Sequence, residues 1–238
     1  MTVPEALSEL DRHMERDVSA RLVSDVPIGI FLSGGLDSSL IAYYAARLKR
    51  ERGEKIHTFS IGFSEKNFDE SQYAKKVAKY LGTMHHHKFV SGEESLRAIP
   101  EIFSSLDEPM ADASIIPTSL LSRFTREHVT VALGGDGGDE LFAGYPTFQA
   151  ERVVGVYHAL PRLLRRGLIA PMVKRLPSTF GNLSLEFKLK KFLEGVEEEK
   201  IVGRHMRWLG TFNERERSRL FTPDVWREMA KENVDANA

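Results

Sequence analysis

Hydrophobic residues recur along this chain in two alternating rhythms. From about Pro4 to Val23, Leu7, Leu10, Met14, Val18 and Leu22 return every three or four residues with charges between them, which predicts an amphipathic helix. Pro4 suits its first turn. The unbroken apolar run Ile28-Gly-Ile-Phe-Leu32 then predicts a buried strand, with Pro27 tolerated only at its start. A helix from about Ser38 to Arg52 stops before Gly53, and a second buried strand spans Ile56 to Ile61, closed by Gly62-Phe63. Asp69 and Gln72 have the spacing of a capping box, opening a helix through Leu81 that Gly82 ends. His85 to Val90 reads as a third, more polar strand. Glu93 to Ser105 and Ile116 to Glu127 read as helices, and Val129 to Leu133 as a fourth strand.

Strands alternating with helices of this length predict an α/β fold, a parallel sheet covered by helices on both faces. In such sheets the ligand lies beyond the carboxyl ends of the strands, at a topological switch point. Two glycine-rich turns follow strands at those ends, and they are expected to face one crevice. After about Phe148 no strand-like run occurs, and helices punctuated by Pro161, Pro171, Pro177, Gly181 and Pro223 take over. The expected organisation is an α/β domain over 1–148 and an all-helical extension over 149–238.

The first turn, Ser33-Gly-Gly-Leu-Asp-Ser-Ser39, links a strand to a helix N-terminus. Such a turn aims backbone N–H groups and the positive end of a helix at one spot, where a pyrophosphate is held. Gly34 and Gly35 permit positive φ and a close approach to the anion. Ser33, Ser38 and Ser39 add hydroxyl donors. Asp37 beside phosphates is repulsive unless a cation lies between them, and Mg²⁺ suits a few carboxylates plus phosphate oxygens. The residues match neither a Walker A loop, nor a nucleophile elbow, nor a dinucleotide fingerprint.

The second turn, Gly134-Gly-Asp-Gly-Gly-Asp-Glu140, places Asp136, Asp139 and Glu140 at a strand end. Its glycines suit close approach to a nucleotide, and Asp139 with Asp37 would complete a magnesium site. An acidic surface loop is the plainer alternative. Asp107, Glu108, Asp112 and Ser114 either line the substrate side of the crevice or serve as turn and cap residues. His85 and His87 share one strand face while His86 points the other way. No third ligand is evident, so an ordinary partly buried strand is expected there.

Composition narrows the classes. The chain has 238 residues, long enough for one large domain or a domain with a helical extension. Hydrophobic content of 42% and charged content of 28% are those of a globular protein. A net charge of −1 offers no basic field for nucleic acid, so the basic patches Arg162–Arg166 and Lys188–Lys191 read as solvated helix faces beside acidic Glu194–Glu199. With no cysteine there is no disulfide, thiolate metal site or cysteine nucleophile in this chain. No apolar run approaches a membrane span, and no targeting segment is expected, so a cytoplasmic protein is the default.

These residues resemble the synthetase domain of glutamine-dependent asparagine synthetases, a branch of the ATP-pyrophosphatase (PP-loop) enzymes. The resemblance rests on Val26–Ser39, on His57-Thr-Phe-Ser-Ile-Gly-Phe63, on Phe68-Asp-Glu-Ser71, on Leu81-Gly-Thr with the histidines after it, and on Leu133–Tyr145. Phe187–Leu193 and Arg207-Trp-Leu-Gly210 extend it into the helical part. It implies an adenine nucleotide alpha hydrolase-like fold and an ATP-dependent carbon–nitrogen ligase. Leu32, Ser33, Gly34, Gly35, Asp37 and Ser38 would hold the ATP phosphates, and Ile61 would meet adenine. Gly134 and Gly135 would border the nucleotide, and Asp37 and Asp139 would hold Mg²⁺. Asp136 stands where many members have glutamate, a position thought to help ammonia attack. Asp37 and Asp136 would be the catalytic pair.

The implied reaction adenylates the β-carboxylate of aspartate, and ammonia then displaces AMP to give asparagine. Ammonia would come from a glutaminase domain that these residues do not include. A lysine-bearing stretch typical of the family is also absent, so a truncated synthetase domain of low activity is expected. A homodimer is among the expected assemblies, with no nucleic-acid or membrane partner. A related ligase acting on another carboxylate, as β-lactam synthetases do, and an inactive nucleotide-binding fragment are the alternatives.

Overall fold

The computed structural model describes residues 1–64, 69–108, 110, 112–177, 184–210, 212 and 214–232. Phe68, Gly181 and the last six positions lie outside the described residues. The chain forms two compact units, Met1–Gly138 and Asp139–Ala238.

The first unit is built on a four-stranded sheet. In chain order it runs α1 (Val3–Arg21), β1 (Ile28–Phe31), α2 (Leu36–Glu51), β2 (His57–Phe63), α3 (Ser71–Leu81), β3 (Met84–Val90), α4 (Gly92–Ser104), α5 (Ile115–Arg126) and β4 (Val131–Leu133). All pairings are parallel and the strand order is β3-β2-β1-β4. The chain therefore steps outward from β1 through β2 to β3, then crosses back through α4 and α5 to pair β4 with the other side of β1. That reversal makes the gap between β1 and β4 the topological switch point.

Helices cover both faces, as the alternation of the strands requires. Ile28, Ile30, Leu32 and Ile56 pack with Val18 and Leu22 of α1, Ala42, Ala45 and Leu48 of α2, and Ala74, Ala78 and Leu81 of α3. On the opposite face Ile61, Phe63 and Val90 meet Ala98 and Ile102 of α4 and Leu120 of α5. Phe59 points the same way and meets Phe124 edge-on at 6.0 Å.

Among the boundaries that differ from the sequence expectation, three have a visible cause. The fourth strand begins at Val131, because the N–H groups of His128 and Val129 still bond to Thr125 and close α5. The helix from Gly35 starts at Leu36, two residues early, with Gly35 as its N-cap. The capping box of α3 does not form: Glu70 is the N-cap, and Asp69 Oδ1 instead accepts the Ser71 N–H at 3.0 Å. Gly82, at φ 69°, ends α3 as predicted.

The second unit is helical: α6 (Gly138–Phe142), α7 (Pro146–Ala159), α8 (Arg162–Leu164) running through a π-helical turn (Arg165–Ile169) into α9 (Ala170–Lys174), then α10 (Leu185–Gly195), α11 (Ile201–Leu209), α12 (Glu214–Leu220) and α13 (Pro223–Glu232). Its core gathers Val154, Tyr157, Val196 and Trp208 with Phe192 and Leu193. Trp208 donates its indole N–H to the Phe192 carbonyl at 3.2 Å. The basic patches are paired within this unit rather than simply solvated. Arg165 is buried, stacks over Tyr157 and bonds Glu197 at 2.9 Å, while Lys190 pairs with Glu186 and Lys191 with Glu194. Among the described residues no helix is long and apolar enough to cross a membrane.

A polar layer lies between β2, β3 and α3. Thr58 Oγ1 meets Thr83 Oγ1 at 2.8 Å and His85 Nδ1 at 3.0 Å, and Ser60 Oγ meets His85 Nε2 at 3.2 Å and His87 Nδ1 at 3.1 Å. Burial pushes His85 down to about 4, with His87, His86 and Lys75 acting the same way. Burial also lowers His57, His86 and His87. Above pH 6.5 these groups are neutral in both states. As pH falls, the unfolded chain takes up protons first, so stability is lost from about 6.5 down to about 4. We expect urea unfolding to show a falling free energy across that window, up to ~1.4 kcal/mol per pH unit for each such proton. His85→Asn should flatten the slope; an unchanged slope would remove His85 from the account.

Candidate active site

The first turn is folded on itself by its own serines. Leu32 is buried in the core and gives its N–H to the Phe59 carbonyl at 2.8 Å, so its side chain faces away from the crevice. Ser38 is buried and its hydroxyl accepts the Ser33 N–H at 3.3 Å and lies 3.0 Å from Ser33 Oγ. Ser33 Oγ in turn accepts the Gly35 N–H at 3.1 Å. These two hydroxyls, expected as ligand donors, also hold the loop in shape. Ser39 Oγ is buried and has no hydrogen-bond partner among the described residues.

Gly34 adopts φ +88° and lies flat on α3. A Cβ there would sit 2.5 Å from the Ala74 nitrogen and 2.6 Å from the Tyr73 carbonyl carbon. Gly35 is the N-cap of the 16-residue α2, and no side chain caps it. The first-turn amides of α2 and the positive end of its dipole therefore face outward from the end of β1. Asp37 stands half-buried in that first turn.

The second turn touches the first. A Cβ on Gly135 would lie 2.7 Å from the Ser38 nitrogen and 2.9 Å from Asp37 Cβ. A Cβ on Gly138 would lie 2.5 Å from Asp37 Cγ and 2.7 Å from its Oδ1. Gly137 supplies the positive φ, +86°, that reverses the chain between them. Asp136 is exposed, and its carboxylate folds back over Gly134. Two of the four glycines thus admit the neighbouring turn itself, a demand that the sequence does not display.

The remaining candidates fall in several places. Ile61 is on β2 and its side chain packs, partly buried, toward α4 and α5. Asp139 stands half-buried in the first turn of α6 and presses against Gly144 of the same unit. Glu140 accepts the Tyr145 hydroxyl at 2.6 Å, which holds its carboxyl below the usual range. Asp112 accepts the Ser114 N–H at 2.9 Å, a turn contact at the start of α5, while Asp107 and Glu108 are exposed. Pro109 and Ala111 lie outside the described residues. His85 and His87 share one face, and His86 Nε2 meets His57 Nδ1 at 2.9 Å on the other. Among the described residues no three potential ligands converge on a metal.

The arrangement offers fixed N–H donors, a helix dipole and one carboxylate at the switch point. A dipole of this kind holds an anion. Asp37 opposes one unless a cation intervenes, and Mg²⁺ accepts a single carboxylate together with phosphate oxygens, so Asp37 is compatible with it.

The glycine contacts give a testable contrast. Gly135→Ala presses a methyl group against the backbone of Asp37 and Ser38 and should cost about 1–3 kcal/mol in urea unfolding. Gly138→Ala meets a movable carboxylate and should cost less, yet displace Asp37 and weaken magnesium-dependent ATP binding in calorimetry. Gly137→Ala meets nothing within 4 Å and should show only the strain of its φ, about 1 kcal/mol, with affinity kept. Equal effects from all three would contradict the contact.

Comparison with known proteins gives the family. The asparagine synthase family model matches residues 9–231. The glutamine-hydrolysing asparagine synthetase 1 of Bacillus subtilis is 38% identical over 152 residues, covering 64% of this chain and 23% of its own. Asparagine synthetase 2 of Oryza sativa subsp. japonica is 39% identical over 149 residues, covering 58% and 25%. The asparagine synthetase of Zea mays is 37% identical over 143 residues, covering 56% and 24%. The chain spans about a quarter of the length of the curated relatives it matches. With a model of that family matched from residue 9 to residue 231 of 238, and both glycine-rich turns set at one switch point, this chain belongs to the asparagine synthase family.

Proposed function

We propose that this chain adenylates the β-carboxylate of aspartate with ATP and passes the acyl group to ammonia, yielding asparagine, AMP and pyrophosphate. The observation that carries the reading is the contact of the two glycine-rich turns at the switch point between β1 and β4. A carboxylate is a poor acyl donor because its leaving group would be oxide. Attack of its oxygen on the α-phosphate breaks the bond to pyrophosphate and installs AMP, a good leaving group.

In this reading the amides of the Ser33–Ser38 turn take up charge developing on pyrophosphate, which fixed donors do without reorganising during reaction. Ile61, beside β1 on the next strand, borders the adenine. Gly134 and Gly135 border the nucleotide through their backbone. Asp136 accepts a proton from the attacking ammonia. Asp37 and Asp139 are proposed as carboxylates for Mg²⁺, which supplies charge neutralisation at the phosphates when bound. Asp139 enters on its place in the motif, next after Gly138. These 238 residues carry no cysteine, so ammonia rather than glutamine is the donor to supply in an assay of this chain. The cytoplasm is where such a reaction would find its ATP and aspartate.

Exchange of labelled pyrophosphate into ATP tests the first half-reaction. We expect exchange that depends on aspartate and falls by about 10²-fold or more in Asp37→Ala, the scale of losing a charge-stabilising group. Exchange driven by a different carboxylic acid would support the related ligase instead. Nucleotide binding without exchange for any acid would leave only a nucleotide-binding module.

A further inference from the structure

The motif Phe68-Asp-Glu-Ser71 and the histidines of β3 take no part in the chemistry above, yet their described residues meet at the wall behind the phosphate turn. Gly34 rests on the backbone of Tyr73 and Ala74 at the start of α3. The N–H groups of both residues bond to the Glu70 carbonyl, at 2.9 and 3.3 Å. Glu70 is the N-cap of α3 and its own side chain makes no capping bond. The side chain that holds this start is Asp69, whose Oδ1 accepts the N–H of buried Ser71 at 3.0 Å. Asp69 is itself confined: a Cβ on Gly62 would lie 2.9 Å from both Asp69 Oδ1 and His87 Cε1, so carboxylate and imidazole enclose the end of β2. His87 is anchored behind by Ser60 at 3.1 Å.

We propose that Asp69 is a positioning residue for the phosphate-holding turn, acting through the first turn of α3 on Gly34. The inference rests on the nucleotide reading above and deepens it. Gly34 has no slack toward α3, because its φ of +88° and its contact with two backbone atoms leave no side chain to absorb a shift. A displacement of Tyr73–Ala74 is therefore passed to the loop rather than absorbed. The bonds of Ser71 also hold the Asp69 carboxyl below its usual range, so the acceptor stays ionised at neutral pH.

MgATP titration calorimetry paired with thermal unfolding decides the matter, on the full 238-residue chain and three variants. Asp69→Ala removes the acceptor and should weaken MgATP binding by about tenfold. Asp69→Asn keeps an acceptor oxygen for the Ser71 N–H and should bind within about threefold of the parent chain. Ser91→Ala is the control: Ser91 caps α4 by accepting the Glu94 N–H at 3.1 Å, away from the loop. It should lower the unfolding temperature as much as Asp69→Ala and leave affinity unchanged. Unchanged affinity in Asp69→Ala overturns the proposal, as does an Asn variant as weak as the Ala one, or a matching loss in Ser91→Ala. If the parent chain gives no heat with MgATP, the nucleotide reading fails and takes this inference with it. Normal parent binding with an indifferent Asp69→Ala sinks the inference alone.

Discussion

The first unit depends on one close contact between segments a hundred residues apart, the backbone of Gly135 and Gly138 against Ser38 and Asp37. Parallel pairing of β1 with β4 brings the two carboxyl ends to the same level, with Ile30 opposite Leu133. The turns that follow then have only a few ångströms to share, and a side chain at 135 would meet backbone. Two of the glycines in the second turn are steric necessities of this meeting. A third, Gly137, reverses the chain between them.

Magnitudes decide what this meeting place can hold. A helix N-terminus stabilises a nearby negative charge by about 0.3–1 kcal/mol, and by about 2 in partly buried settings. A carboxylate about 4 Å from a phosphate charge is repelled by about 4 kcal/mol at an effective dielectric of about 20. The dipole of α2 therefore does not offset the presence of Asp37 beside a triphosphate. A cation between them would, so the carboxylate that looks misplaced in a plain anion site is coherent with the metal–phosphate site proposed above.

Much of this was legible in the residues because local and tertiary demands coincide. Ile28 to Leu32 is apolar throughout since a central parallel strand is buried on both faces, and Gly82 marks a helix end because only a residue without Cβ takes φ 69° easily. The switch-point location of both turns followed from their places after strands. Where the reading failed, a competing acceptor won. Val129 looks like strand but its N–H belongs to Thr125, and Asp69 looks like a cap but reaches only two residues ahead. That the hydroxyls of Ser33 and Ser38 also brace the turn was not legible, because nothing in a linear sequence shows that they lie 3.0 Å from each other. The link from Gly34 to α3 was invisible for the same reason: it joins positions forty residues apart through backbone atoms, which carry no residue-type signal.

The composition of α3 follows from that link. Its core-facing residues are Ala74, Ala78 and Leu81, two of them small, so the helix axis can lie close to the sheet and to the turn. Beneath its first half the sheet offers Thr58, Ser60 and two histidines in place of the Ile and Leu side chains that floor α1 and α2. A larger residue at 74 would push the helix off Gly34; an apolar layer in place of the hydroxyls would remove the anchors of His85 and His87. Hydrogen bonds have narrow angular tolerance, whereas apolar contact is non-directional. A polar layer therefore fixes where α3 sits along and across the strands, and the turn that rests on it inherits that placement.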